Sequence, residues 1–126
     1  NDAFRLMKTL APGPYTFILP ATRETPRRLQ DEKRRTVGLR IVDHPFIQGL
    51  LNDRSPLLAS TVMDDRIGLP YADPEDILAD VGHALEAVFD SGAVGIEMST
   101  ILDLTGPEPR LVRQGLGDVS RVVDLG

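Results

Sequence analysis

The chain contains no cysteine and no tryptophan, and only two histidines, His44 and His83, at unrelated positions. These shortages exclude a good deal of chemistry. Without cysteine there is no disulfide frame, no thiolate nucleophile and no cysteine-held metal, and two isolated histidines make no zinc site. Aromatic residues are 5% of the chain, too few for a surface that reads bases by stacking. No apolar run approaches the ~20 residues of a membrane-spanning helix, and no signal-peptide pattern opens the chain, so no membrane association is expected. A reducing, cytoplasmic setting is the expectation. The first residue is Asn1 rather than methionine, yet Phe4, Leu6, Met7 and Leu10 already follow helical spacing. The expectation is a domain that lacks its N-terminal part.

What is present fits a single globular domain over residues 1–126, with 41% hydrophobic and 26% charged residues. The net charge of −5 is unevenly spread. Residues 23–40 hold seven of the fourteen basic residues: Arg23, Arg27, Arg28, Lys33, Arg34, Arg35 and Arg40. Against three acids they leave this segment at +4 and the remainder at −9. A local basic patch on an acidic chain points to an anionic ligand at one place; a solvated, ion-paired face is the alternative.

Periodicity then orders the chain. Pro12-Gly13-Pro14 ends the first helix, and strands are expected at 15–20, 36–42, 57–62 and 99–104. Thr25 and Pro26 suggest the cap and first residue of a short basic helix. A helix after His44-Pro45 is expected to turn Phe46, Ile47, Leu50 and Leu51 inward, and Asp73-Pro74 to start another. Residues 77–89 read as one long helix or as a helix followed by a strand at Glu86–Asp90, with Gly82 favouring the second. Asp118 suits the cap of a last short helix. Helices and strands alternate with short connections, which gives an α/β or α+β class. In the expected strand 36–42, Thr36, Gly38, Arg40 and Val42 share one face, and the glycine leaves room for a ligand. Two apolar runs flank Gly106-Pro107-Glu108-Pro109, so antiparallel pairing brings Ser99 and Arg113 to one rim. A hydroxyl beside a guanidinium suits a carboxylate or phosphate; a solvated hairpin with polar ends is the other reading.

Four stretches in series resemble the YrdC/TsaC family of threonylcarbamoyl-AMP synthases, and its YciO branch in particular. They are PGPYTFIL (12–19), TVGLRIVDHP (36–45), STILDLT (99–105) and LVRQG (111–115). The resemblance implies a twisted mixed sheet flanked by helices. It implies a nucleotidyl transfer in which ATP, threonine and bicarbonate give threonylcarbamoyl-adenylate, for a modified adenosine in tRNA, with Mg²⁺ accompanying ATP and no protein-held metal. By the same resemblance Arg40 and Ser99 would bind threonine, and Thr36, Ser60, Val62 and Arg113 the nucleotide. No side-chain nucleophile or base is assigned, because a carboxylate attacking an α-phosphate needs positioning and charge neutralisation instead. Asp103 is read as a structural hydrogen-bonder. Three family features are missing: the proline-threonine-aspartate-threonine strand and the K-x-R motif of the N-terminal part, and the S-A-N triplet, where ASTVMDD stands. This chain alone is therefore expected to bind ATP poorly and to be catalytically inert. The alternatives are a tRNA- or double-stranded-RNA-binding module using Arg27, Arg28, Lys33, Arg34 and Arg35, or an adenylate hydrolase in the same pocket.

Overall fold

The computed structural model describes residues 2–52, 56–92, 97–120 and 122. The chain divides into two compact units, residues 1–58 with 98–126, and residues 59–97. The first carries a four-stranded mixed sheet in the order β2-β1-β5-β6, formed by Tyr15–Pro20 (β1), Thr36–Leu39 (β2), Thr100–Asp103 (β5) and Arg110–Arg113 (β6). β1 pairs antiparallel with β2, in register Phe17 to Leu39, and parallel with β5, in register Phe17 to Leu102. β6 returns antiparallel beside β5.

Alternation along β1 makes the two faces of this sheet chemically different. Tyr15, Phe17, Leu102 and Leu104 point to one side and bury against Leu6 and Leu10 of helix α1 (Asp2–Leu10). Packing these side chains away from water is the main stabilising contribution here, at about 1.5–3 kcal/mol for each fully buried Leu or Phe. Thr100 lies on the same side and is completely buried. Its hydroxyl donates to the Gly117 carbonyl at 2.8 Å and accepts from the Gly115 N–H at 3.0 Å, which satisfies a polar group that could not otherwise sit in a core. The Tyr15 hydroxyl likewise reaches the Asp118 carbonyl at 3.0 Å. The segment after β6 is thereby tied across the end of the sheet.

The second unit holds a short antiparallel pair, Met63–Asp64 (β3) with Leu69–Pro70 (β4), and helix α3 (Pro74–Val81). Asp73 caps α3 by accepting the Glu75 N–H at 2.9 Å, with Pro74 at the first helical position. Arg66 joins Asp64 at 3.1 Å and Asp80 at 2.6 Å, and the Tyr71 hydroxyl donates to Asp80 at 2.8 Å. This network ties the β3–β4 turn to α3. The Arg66 guanidinium holds the Asp64 carboxyl below its ordinary range, while the bond to Asp80 raises the Tyr71 hydroxyl.

Several local expectations are corrected. Residues 57–62 form no strand; their apolar side chains are exposed, and pairing starts only at Met63. The basic helix shrinks to a single 3-10 turn, Arg27–Leu29, preceded by Pro26 with no side-chain cap. Its continuation loses to Asp31, whose carboxylate accepts from the N–H groups of both Lys33 and Arg34 at 3.0 Å and bends the chain into a turn. Helix α2 (Pro45–Leu51) forms, capped by the His44 ring, but Phe46 and Leu50 are each 41% exposed rather than turned inward. After α3 a 3-10 turn, Gly82–Ala84, leads into chain with no strand at Glu86–Asp90. Asp118 accepts the Ser120 N–H at 2.9 Å, while the last short helix it was expected to cap falls mostly outside the described residues. Among the described residues no helix is long and apolar enough to cross a membrane.

Gly115 tests this arrangement. A Cβ built there would fall on the Met98 carbonyl oxygen and lie 2.6 Å from that of Ser99, both backbone atoms with little room to yield. Gly115→Ala is expected to destabilise by about 3 kcal/mol. Gly49→Ala, in helix α2 with nothing within 4 Å, is expected to stabilise by up to about 1 kcal/mol. Denaturant melts of both variants check the opposite signs.

Candidate functional site

The sheet face opposite α1 is polar, and its make-up follows from register. Thr16 and Ile18 alternate with the core residues of β1. Across the ladders, Ile18 meets Gly38 and Asp103, while Thr16 meets Ile101. β6 adds a less obvious contribution. Arg110 pairs with Asp103 and Arg113 with Ile101, although residues three apart on a regular strand point to opposite faces. A register shift between Ile101 and Leu102 absorbs the odd residue and brings both arginines to the polar face.

At one end of this face the Ser99 and Thr16 hydroxyls lie 2.7 Å apart. Arg113 Nε and Nη2 both donate to the Ser99 carbonyl, at 3.1 and 2.8 Å, and Nη2 also reaches the Ser99 hydroxyl at 3.3 Å. Its Nη1 faces the Met98 sulfur at 3.5 Å. Ser99 and Arg113 are therefore brought together at one rim, but most of the guanidinium is spent on the protein itself. Arg40 contrasts with it. It follows directly after β2, where continuing the register would set it beside Thr16, and among the described residues its side chain has no hydrogen-bond or ion-pair partner. Thr36 opens β2 opposite Pro20 and is half-buried. Gly38 leaves the face open between them: a Cβ there would touch only the Thr16 methyl, at 3.6 Å.

At the other end lies Asp103, its side chain 4% exposed. One oxygen accepts from the Thr105 N–H at 2.9 Å and hydroxyl at 2.6 Å. The other accepts from Arg34 Nη2 at 2.8 Å and Arg110 Nη2 at 2.9 Å. The Thr105 hydroxyl and N–H, then Arg110 and Arg34, hold this carboxyl well below the usual carboxylate range against the opposing effect of burial. The expectation of a structural hydrogen-bonder describes it, but its two arginine partners were not foreseen.

Ser60 and Val62 belong to the second unit, where both are exposed and the Val62 carbonyl accepts from the Tyr71 N–H at 3.2 Å. The basic residues separate into two groups. Arg34 is held by Asp103, whereas Arg27, Arg28, Lys33 and Arg35 are exposed and without side-chain partners among the described residues. Arg27 and Arg35 join Arg23, Thr22, Gln30 and Glu32 around a cleft of about 620 Å³. Among the described residues no three His, Asp or Glu side chains are placed to hold a metal ion, and the oxygens of Asp64 and Asp103 are already engaged.

This combination, a mixed α/β sheet with one apolar face under a helix and one polar face rimmed by hydroxyls and arginines, places the chain in the α/β class. The family model Sua5_yciO_yrdC, described as "Telomere recombination", matches residues 1–115, and the chain belongs to this family. It is 42% identical over 120 residues to the uncharacterized protein YciO of Escherichia coli K12, covering 94% of this chain and 58% of that protein. The crystal structure of E. coli YciO superposes with a TM-score of 0.81, covering 97% of this chain and 60% of that one. The crystal structure of P. abyssi Sua5 complexed with L-threonine gives a TM-score of 0.77 at 25% identity, over 98% of this chain and 36% of that one. A threonylcarbamoyl-AMP synthase of Vibrio vulnificus is 40% identical over 50 residues, 40% of this chain and 26% of that protein. The chain thus spans under two thirds of the length of the relatives it matches.

The Asp103 bonds set a dependence on pH. A carboxyl held low in the folded state contributes stability that is complete above the ordinary aspartate value near 4, and that is lost as pH falls through the lowered value. Asp103→Asn, which keeps an acceptor for only one of the two donor pairs, turns an NH2 toward the other and does not titrate, is expected to cost about 3 kcal/mol at pH 7. The gap between the melting temperatures of the two proteins should narrow as pH falls below about 4. A gap constant from pH 7 to pH 2 would contradict this account.

Proposed function

We propose that the polar face of the first unit is an amino-acid and nucleotide site serving threonylcarbamoyl-adenylate formation. The observation that carries the reading is Arg40, a cation without a partner among the described residues, one register step beyond the β1–β2 ladder, where continuation sets it beside Thr16 and its Ser99 partner. A guanidinium beside hydroxyls suits an amino acid with a carboxylate and a side-chain hydroxyl, and threonine has both. Support comes from family membership and from the fold shared with a Sua5 structure that holds L-threonine.

The chemistry asks little of the protein beyond placement. Threonine's amine and bicarbonate combine to a carbamate with loss of water. A carbamate oxygen then attacks the α-phosphate of ATP, and the bond to pyrophosphate breaks. On this reading Arg40 and Ser99 orient the amino acid, and Thr36 and Arg113 border the nucleotide. Arg113 acts mainly by fixing Ser99. On this reading Mg²⁺ arrives on the phosphates of ATP, since the ion keeps most of its waters and needs few protein ligands.

A second reading, a platform for duplex RNA, draws on the cleft between Arg23, Arg27 and Arg35. Backbone recognition would need such charge and few aromatics. Its mark is RNA binding that weakens steeply with salt and ignores ATP.

Titration of L-threonine into the chain, followed by NMR shifts, tests the first reading. Saturable binding is expected, weakened at least tenfold by Arg40→Ala, which corresponds to about 1.4 kcal/mol or more. Arg113→Ala should lower threonine affinity and melting temperature together. No threonine binding, or equal binding by Arg40→Ala, would remove the reading. Pyrophosphate release with threonine, bicarbonate and ATP tests turnover.

A further inference from the structure

The Arg34–Asp103–Arg110 cluster at the far end of the polar face carries more positive charge than its structural task requires. One carboxylate is neutralised by one guanidinium; here two converge on the same oxygen, so the cluster keeps a net charge of +1. Each arginine contributes a single Nη2 donor to it. Among the described residues Nε and Nη1 of both have no acceptor, and the two side chains remain 51% and 67% exposed. Neither is free to swing. Arg34 is fixed at its backbone by Asp31 and at its tip by Asp103, and Arg110 is fixed by its strand and the same carboxylate. Beside them in the same row, beyond Ile18, Gly38 presents no side chain.

We infer that Arg34 and Arg110, oriented by the carboxylate between them, form a subsite for a compact polyphosphate, the terminal phosphates of a nucleotide or free pyrophosphate. Two planar guanidiniums with outward donors suit tetrahedral oxygens bearing several charges, and their entropic cost of ordering is already met by Asp103. The distance fits as well. Ser99, the residue before β5, and Asp103 are four residues apart, or about 13 Å of extended chain, enough to separate an amino acid at one end from phosphates at the other. An amino acid at the Ser99 end and phosphates at the Asp103 end would lie along one strand. Nucleic acid fits less well, since a backbone follows a stripe of charge and this cluster is a point. The inference rests on the proposed function for the role of the ligand, but its test does not.

The test is calorimetric titration of inorganic pyrophosphate into the 126-residue chain and its variants, with melting temperatures recorded. One saturable site is expected, weakened at least tenfold by Arg110→Gln and by Arg34→Gln, and less by Arg110→Lys. Lys8→Gln, on the helix that covers the other face, removes the same charge and should change affinity less than twofold. If Arg34→Gln proves unstable, Arg110→Gln decides, because its partner Asp103 keeps Arg34 and Thr105. Absence of saturable binding, or equal losses in Lys8→Gln and Arg110→Gln, overturns the inference. So does an Arg110→Gln protein that loses duplex RNA while keeping pyrophosphate. Pyrophosphate binding that persists when threonine binding is absent upholds the subsite and removes the proposed function instead.

Discussion

The parallel pairing of β1 with β5 is the constraint on which the rest depends. It joins residues 15–18 to residues 100–103, distant in sequence, and a parallel ladder of this kind cannot be closed by a hairpin. Once it is made, alternation assigns every neighbour. Tyr15, Phe17, Thr100 and Leu102 go to the helix-covered side, and Thr16, Ile18, Ile101 and Asp103 to the other. A slip of one residue would exchange the two sets and put Asp103 in the apolar core. The burial of Phe17 and Leu102, each 1% exposed, therefore fixes the register that positions the polar face. Stability and site are set by the same ladder.

The β6 register shift is the second device. A plain four-residue strand would have presented Arg110 and Arg113 to opposite faces, and one of them to the α1 side. With the shift both stand over β5, one at each end of the polar face. Leu111, the residue paired with Leu102, then lies on the apolar side at the sheet edge, where it stays 46% exposed. An edge strand tolerates such an irregularity because only one of its sides carries a ladder.

Legibility in the sequence follows the range of the interactions concerned. Strand 15–20 and the first part of the strand expected at 36–42, which ends at Leu39, were readable because β-prone residues sit between strong breakers, and the pairing of Ser99 with Arg113 because a Gly-Pro-x-Pro turn fixes a hairpin locally. The four motifs in series carried the family. Residues 57–62 have the same apolar composition as a strand but no pairing partner among the described residues, and composition does not report partners. The basic stretch after Pro26 has helix-forming residues throughout, yet the Asp31 carboxylate captures two N–H groups that the next turn would use. Arg110 was missed for a different reason. Its parity relative to Arg113 argues for the opposite face, and a shifted register leaves no mark in one sequence.

The arginines around the polar face also show that proximity to a site does not define a role. Arg113 gives Nε and Nη2 to one backbone carbonyl, which makes it a strut that holds Ser99 in place. Arg40 gives none to the described residues, so its orientation costs entropy that only a ligand would offset. Arg34 and Arg110 lie between these extremes, each giving one donor to a buried carboxylate and keeping the rest outward. A cation oriented by one bond, with donors to spare, combines the fixed geometry of a strut with the available charge of a free side chain. Asp103 is what produces that state twice at one point. The charge excess of residues 23–40 is thereby carried, through Arg34, onto the sheet face that the core itself has aligned.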